Sequence, residues 1–250
     1  MAWSDQTLTS DGVPLWFQIA ALLRDAISAG EFQPGTVLPS EADLFRVFGV
    51  SRTTARSSLD KLEQEGLIVR RSGRGSIVLE PRVEQPLNLL GGFSEDMRRR
   101  GLSPSHQTLS AAFAHPPTEV HEALEIGSRR KAYRIHRLLK ANNSLIASST
   151  SWLSPTILKS REPPGIAELD GGSLYVWLEA ECGVRLCGGQ EIIEAQGAGQ
   201  DIAALLEVEV GTPVLVATRT SRDETGRPVE QATITYRADR YRFRLDLSAP

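Results

Sequence analysis

The sequence predicts an α+β protein in two parts: a winged helix-turn-helix over residues 1–80, and a domain of antiparallel strands with a few helices over residues 93–250. Three observations carry this. From Ser40 onward a short helix, a glycine turn and a further helix follow in close succession. A hairpin rich in arginine and glycine comes directly after them. Beyond residue 93 the pattern becomes runs of alternating strand between short helices.

Taken in order, Pro14 suits a first helical turn, where its missing N–H costs nothing. Leu15, Ile19, Leu22, Leu23, Ala26 and Ile27 then recur at helical spacing, and Gly30 marks the stop. Gln33-Pro34-Gly35-Thr36 reads as a turn. Ser40 caps the second helix, with Asp43 three residues on able to close a capping box. Leu44, Val47 and Phe48 are expected to form its apolar face, Gly49 ends it, and Ser51 caps the third.

The third helix divides by face. Ala55, Leu59 and Leu62 point inward, while Arg52 and Arg56 lie four apart on another face within the first two turns. The start of a recognition helix is the part that meets base edges in the major groove, and arginine matches guanine O6 and N7 bidentately. Two cations at a helix N-terminus oppose its dipole, which a DNA groove would offset. The alternative is a solvated face with two ordinary arginines. Leu67-Ile68-Val69 and Ser76-Ile77-Val78-Leu79 read as strands joined by Arg70-Arg71-Ser72-Gly73-Arg74-Gly75, a tip suited to close approach to phosphates or the minor groove.

Bulk charge gives no support. The chain carries −3, and residues 1–80 hold eight Lys and Arg against ten Asp and Glu. Placement must therefore decide, because binding depends on where cations face the phosphates. The two cysteines, Cys182 and Cys187, supply neither a disulfide framework nor a four-ligand zinc site, so no metal or other cofactor is expected. No basic, apolar leader opens the chain and no run of eighteen apolar residues occurs, so a cytoplasmic protein with no membrane partner is expected.

The run LPSEADLFRVFGVSRTTARSSLDKLEQEGLIVRRSGRGSIV closely resembles the DNA-binding domain of the GntR superfamily of bacterial regulators, over about residues 14–79. The resemblance implies a double-stranded DNA operator as partner. It implies Ser40, Arg52, Thr53, Thr54, Arg56, Arg70, Arg71, Arg74 and Gly75 as the DNA-binding set, with Gly75 at the wing tip. Ala42 stands where the family usually has arginine, so one common DNA contact is missing.

Residues 81–92 (PRVEQPLNLLGG, from Pro81) read as a connector. Past it, short helices open near Ser94 and Pro116–Pro117, and Ala132–Lys140 pairs with Leu145–Leu153 around Asn142-Asn143. Ser173 opens a helix with Leu174, Trp177 and Leu178 inward, and Asp201–Leu206 forms another. Strands near 213–221 and 229–236 flank the turn at Asp223-Glu224-Thr225-Gly226.

Alternation supplies the main clue in this half. Tyr133, Ile135, Arg137 and Leu139 share one strand face, and Glu230, Ala232, Ile234 and Tyr236 share another. Arg137 and Glu230 therefore sit among apolar neighbours, where a charge must be partnered. Two readings stand: a structural ion pair, Arg137 with Glu230 themselves, or polar groups converging on a small molecule. Ser173, at a helix N-terminus, could add N–H groups for an anion.

Residues from about 90 to 246, especially GRPVEQATITYRADRYRF and GGSLYVWLE, are similar to the UTRA effector-binding domain of the HutC subfamily. That resemblance implies a chorismate-lyase-like α+β fold that senses small metabolites. It implies Phe93, Ser94, Arg137, Ser173, Glu230 and Tyr236 as effector contacts. Leu139 replaces the second arginine of the family's Arg-x-Arg strand, and Gly92 stands where serine is common. One arginine beside an apolar residue suits a monoanion better than a phosphate dianion, so a carboxylate or other non-phosphorylated effector is expected.

The expected function is thus a transcription regulator, acting as a repressor, whose homodimer places two recognition helices on a roughly palindromic operator. An enzyme is the competing class, because the second fold is shared with a lyase. His106, His115, His121 and His136 are scattered and no nucleophile motif is present, so no catalytic residue is expected. A DNA-binding protein without any effector is the third.

Overall fold

The computed structural model describes residues 3–9, 12–80, 82–87, 91–159 and 161–247. The chain forms two compact units, Met1–Arg82 and Val83–Pro250.

In the first unit, α1 spans Leu15–Ser28, α2 Glu41–Phe48 and α3 Arg52–Gln64, followed by a hairpin of β1, Ile68–Arg71, and β2, Gly75–Val78. Pro14 is the residue before α1 rather than its first, and Ile19, Ala20, Leu23 and Ala26 form the buried stripe. The Ser40 capping box is present in both directions, the Asp43 amide donating to Ser40 Oγ at 3.2 Å and the Ser40 amide to Asp43 Oδ2 at 3.0 Å. Gly49 closes α2 in the left-handed conformation, φ 66°, which a branched side chain would oppose. The Thr54 amide then donates to Ser51 Oγ at 3.1 Å and α3 begins.

Ala55, Leu59 and Leu62 of α3 are buried with Ile19, Leu23, Leu38, Leu44, Ile68 and Val78. Each leucine removed from water contributes about 1.5–3 kcal/mol. Val47 departs from expectation. An eight-residue helix buries only a narrow stripe, Leu44 with Phe48 beside it, and Val47 lies about 60° round the axis from Leu44 and is 42% exposed. Leu15, at the first position of α1, is exposed as well.

The second unit is built on a six-stranded antiparallel sheet. Its strands are β4 (Pro104–Ala114), β5 (Ala132–Ala141), β6 (Ser144–Leu153), β7 (Leu186–Gly197), β8 (Pro213–Asp223) and β9 (Pro228–Arg237), in spatial order β4-β5-β6-β9-β8-β7. Asn142 and Asn143, both at positive φ, turn β5 into β6 as a two-residue hairpin requires. Asp223 organises the turn into β9 by accepting from the Thr225 and Arg227 amides and the Arg227 guanidinium. The short helices are α4 (Phe93–Arg99), α5 (Thr118–Ala123), α6 (Pro155–Leu158), α7 (Ile166–Gly171), α8 (Leu174–Cys182) and α9 (Gln200–Leu206). Leu174 and Leu178 of α8 pack with Tyr133, Ile135 and Leu153 on one side of the sheet, and Leu206 of α9 packs with Leu138 and Val214 on the other. Trp177 is only partly buried.

The connector expected at 81–92 is corrected in part. Val83–Pro86 is a strand, β3, pairing in parallel with β10 (Tyr241–Arg244). Val83 and Gln85 point inward, and the Tyr241 hydroxyl donates to Gln85 Oε1. The partner strand lies some 160 residues away, so local composition showed only the prolines. Pro81 and residues 88–90 of that connector lie outside the described residues, as does the chain start Met1-Ala2. Among the described residues no helix is long and apolar enough to cross a membrane.

Candidate DNA interface and ligand cavity

The charge of the first unit becomes intelligible once its ion pairs are placed. Arg24 chelates Glu65 at 2.9 and 2.8 Å, Lys61 reaches the same carboxylate, and Arg46 pairs with Asp43. Arg70 meets Asp60 Oδ1 at 2.8 Å and Glu41 Oε1 at 3.3 Å. Arg52, Arg56, Arg71 and Arg74 are exposed and make no ion pair among the described residues. These four stand at the start of α3 and on the hairpin. Half the cations thus neutralise the domain's own acids, and the other half are left facing solvent where a phosphate backbone would meet them.

The remaining members of the expected DNA set divide. Thr53 and Gly75 are exposed. Ser40 is exposed, but its hydroxyl donates to Asp43 Oδ2 at 2.6 Å within the capping box. Thr54 is half-buried, its hydroxyl 2.9 Å from Ser51 Oγ in the cap of α3. Arg70 sits on β1 rather than at the tip, opposite Ser76, with its guanidinium turned to α2 and α3. A groove lined by Val37, Ser40, Ala42, Arg71, Ser72 and Gly75 runs between the hairpin and α2.

In the second unit the sheet register assembles a small, partly open cavity of about 40 Å³. Arg137 on β5 is opposite Ser149 on β6, which is opposite Ile234 on β9. One step along the same face, Ile135, Ser151, Ala232 and Arg219 of β8 line up, and beyond them Leu153 and Glu230. The α8 start adds Ser173, Leu174 and Tyr175, and Phe93 and Ser94 come from α4. Five of the six expected contacts, Phe93, Ser94, Arg137, Ser173 and Glu230, line this space. Tyr236 does not. Two residues past Ile234, it stacks on Tyr241 with ring centroids 4.0 Å apart and meets Phe243 edge-on. It serves the junction of β9 with β10.

Arg137 and Glu230 do not pair with each other. Glu230, 2% exposed, accepts from the Tyr175 hydroxyl at 2.7 Å, and that hydroxyl accepts from Arg219 Nη2 at 2.7 Å. Arg219 Nη1 lies 3.9 Å from Glu191 behind it. Burial drives the Tyr175 phenol well above its usual range, so it stays protonated and can donate. Burial alone would lower the Arg219 guanidinium, but the Tyr175 and Glu230 oxygens hold it firmly charged. Arg137 differs from Arg219 in making no side-chain hydrogen bond or ion pair among the described residues: burial lowers its pKa against the opposing pull of Glu230, and its Nη1, like Arg219 Nε, is buried without a hydrogen-bond partner. A Cβ at Gly92 would come within 2.3 Å of Glu95 Oε2 and 3.3 Å of the Tyr175 ring, so a side chain there would first have to displace the Glu95 carboxylate.

His106 on β4 also lines the cavity, its Nε2 3.3 Å from Ser94 Oγ. Desolvation first, and the Arg137 charge second, push its pKa from 6.5 down to about 4, against the pull of Asp170. Its folded pKa lies below its unfolded value, so the unfolded chain takes up the proton first. Its contribution is intact above pH 6.5 and is lost as pH falls toward 4. Allowing for partial exposure, the loss is on the order of 2 kcal/mol. Denaturant melts across this range should show His106→Asn with a shallower pH slope than the parent. Equal slopes would place the titration elsewhere.

The sequence of the first unit, at residues 17–78, matches the family of bacterial regulatory proteins, gntR family, and residues 99–242 match the UTRA domain. The chain belongs to the GntR family of transcription regulators, in its UTRA-bearing, HutC-type branch. It is 31% identical to the HTH-type transcriptional repressor NagR of Bacillus subtilis, across 92% of this chain and 93% of that one. It is likewise 31% identical to the HTH-type transcriptional regulator Rv0792c of Mycobacterium tuberculosis, across 98% of this chain and 90% of that one. The fold is that of PhnF from Mycobacterium smegmatis, with a TM-score of 0.65 over 92% of this chain and 99% of that one, at 23% identity. NagR and Rv0792c are named as transcription regulators, not enzymes. In this GntR-family chain, sequence reasoning missed Arg219, Tyr175 and His106 of the cavity. Arg219 was signalled, because Ala217, Arg219 and Ser221 alternate inward on β8 as Arg137 does on β5.

Proposed function

We propose that this GntR-family regulator is a cytoplasmic repressor whose homodimer holds a roughly palindromic operator and releases it when a small carboxylate, or another non-phosphorylated metabolite, enters the UTRA cavity. The observation that carries the ligand half is Arg137 Nη1, buried in the cavity wall without a partner. An unsatisfied buried cation is costly in the empty protein and is repaired by an anion. The name of the relative NagR, a repressor, supports the sign of control.

The reason for a monoanion changes with the structure. Arg137 is not the sole arginine, because Arg219 of β8 lines the same cavity. Arg219, however, is engaged with Tyr175 and lies against Glu191, while Glu230 faces the same cavity. Two guanidiniums are thus set against two carboxylates. With these charges already in balance, every ligand charge adds net negative charge to a desolvated site, so a monoanion held by the unpaired Arg137 is favoured over a dianion, which adds twice as much. Glu230 and the Ser149 and Ser151 hydroxyls remain for hydroxyl or amino groups on the same ligand.

The test begins with an operator selected from a random duplex pool by the full-length protein. Release of that operator is then followed by fluorescence anisotropy against panels of small carboxylates and sugar phosphates. Release by a carboxylate at concentrations where every phosphate is inert is the expected result. Release by sugar phosphates alone would overturn the ligand class. Release by nothing in either panel, with no thermal stabilisation, would leave a DNA-binding protein that senses no metabolite of either class.

A further inference from the structure

We infer that Arg70 is a positioning residue, which sets the wing against the recognition helix, and not a contact to DNA. Its sequence position, first in an arginine pair entering a basic hairpin tip, suggests the opposite. Its surroundings decide otherwise. The guanidinium reaches Asp60 of α3 at 2.8 Å and Glu41, the first residue of α2, at 3.3 Å. Its Nη2 also lies 3.4 Å from the main-chain oxygen of Arg56, the second candidate base contact. The Arg70 amide donates to Glu63 Oε1 at 2.9 Å, so the strand backbone is tied to the far end of the same helix. One side chain on β1 therefore spans both helices of the helix-turn-helix.

Position on the strand enforces this. Arg70 pairs with Ser76 while Arg71 pairs with Gly75, so successive side chains leave opposite faces of the hairpin. Arg71 is exposed; Arg70 is only 25% exposed at its side chain. Isolated surface ion pairs contribute little to folding. Here the consequence is geometric. Arg71 and Arg74 can reach phosphates only if the hairpin holds its angle to Arg52 and Arg56, and small displacements of a positioned group cost much in binding. Asp60 and Glu41 would by themselves repel DNA. Arg70 offsets half of that charge while using both carboxylates as anchors.

This rests on the DNA-facing role of α3 and the wing, and the experiment separates the two. Operator affinity of the full-length protein is measured across a salt series for Arg70→Ala, Arg71→Ala and the pair Asp60→Asn with Glu41→Gln. Melting curves confirm folding. Arg71→Ala should shrink the log–log salt slope by about 0.9 for each protomer, about 1.8 for the homodimer, as expected for one lost phosphate contact in each half-site. Arg70→Ala should weaken binding several-fold with the slope unchanged. The Asp60→Asn, Glu41→Gln variant, which frees Arg70 but removes two anions, should weaken binding as well. Adding Arg70→Ala to it should cost nothing more. If adding Arg70→Ala to that carboxylate variant costs further affinity, or Arg70→Ala alone cuts the slope as Arg71→Ala does, Arg70 is a DNA contact and the inference fails. If Arg71→Ala leaves both affinity and slope untouched, the wing reading itself fails.

Discussion

Arg52→Ala and Arg56→Ala each weaken operator binding by about 1–3 kcal/mol per half-site and relax base preference at separate positions, the loss expected for a bidentate arginine–guanine contact. Both side chains are exposed and without ion pairs among the described residues, so neither substitution removes a folding contact. Arg52 is the first residue of α3 and the Ser51 cap is independent of its side chain. A cation there opposes the helix dipole by about 0.3–1 kcal/mol, and alanine is the better helix former. The Arg52→Ala protein should therefore melt at the parent temperature or above while binding more weakly. Repeating the operator selection with each variant checks the base preference, and calorimetric melting checks the stability. Unchanged affinity and specificity in both variants would remove α3 as the reading element.

Arg137→Met should abolish ligand-induced release while leaving the empty protein as stable as the parent, or more so. The arginine is buried, burial lowers its pKa, and its Nη1 is unsatisfied. Such a group costs about 1–3 kcal/mol in the empty fold. Methionine keeps the unbranched stem and removes the charge. Operator affinity without ligand should be unaffected. Arg219→Met should behave in the opposite way. It strips the Tyr175 hydroxyl and leaves Glu191 and Glu230 facing one another's field, so it should destabilise the domain by about 3–5 kcal/mol. Thermal melts of the two variants, compared with the parent, distinguish a cation kept for a ligand from one kept for the fold.

What could be read in the sequence was whatever depends on near neighbours. The Ser40–Asp43 box, the Gly49 turn, the Ser51 cap and the inward set Ala55, Leu59 and Leu62 all arise from spacings of a few residues. The Arg137 and Glu230 faces followed from strict alternation on strands with one buried face. The losses have a common cause. β4 and β7 are the edges of the sheet, half-covered and rich in small or charged residues, so neither carries a strong apolar alternation, and His106 was lost with β4. β3 owes its existence to pairing with β10 across the length of the domain. Arg70 and Arg71 are neighbours of one type with opposite surroundings, set by which face of the hairpin each leaves, and by carboxylates on two helices. Tyr236 shared the strand face of Glu230 but lies beyond the cavity floor, where β10 covers it.

On the proposed function, occupancy of the UTRA cavity through Arg137 controls the grip of α3 and the wing on DNA. The most direct measurement of that control is the operator dissociation constant of the full-length protein, with and without the carboxylate that the screen returns, in the parent and in Arg137→Met. The expected result is a loss of at least about tenfold in affinity on ligand addition to the parent, equivalent to about 1.4 kcal/mol of coupling, and none in Arg137→Met. Equal ligand-induced release in both proteins would contradict it.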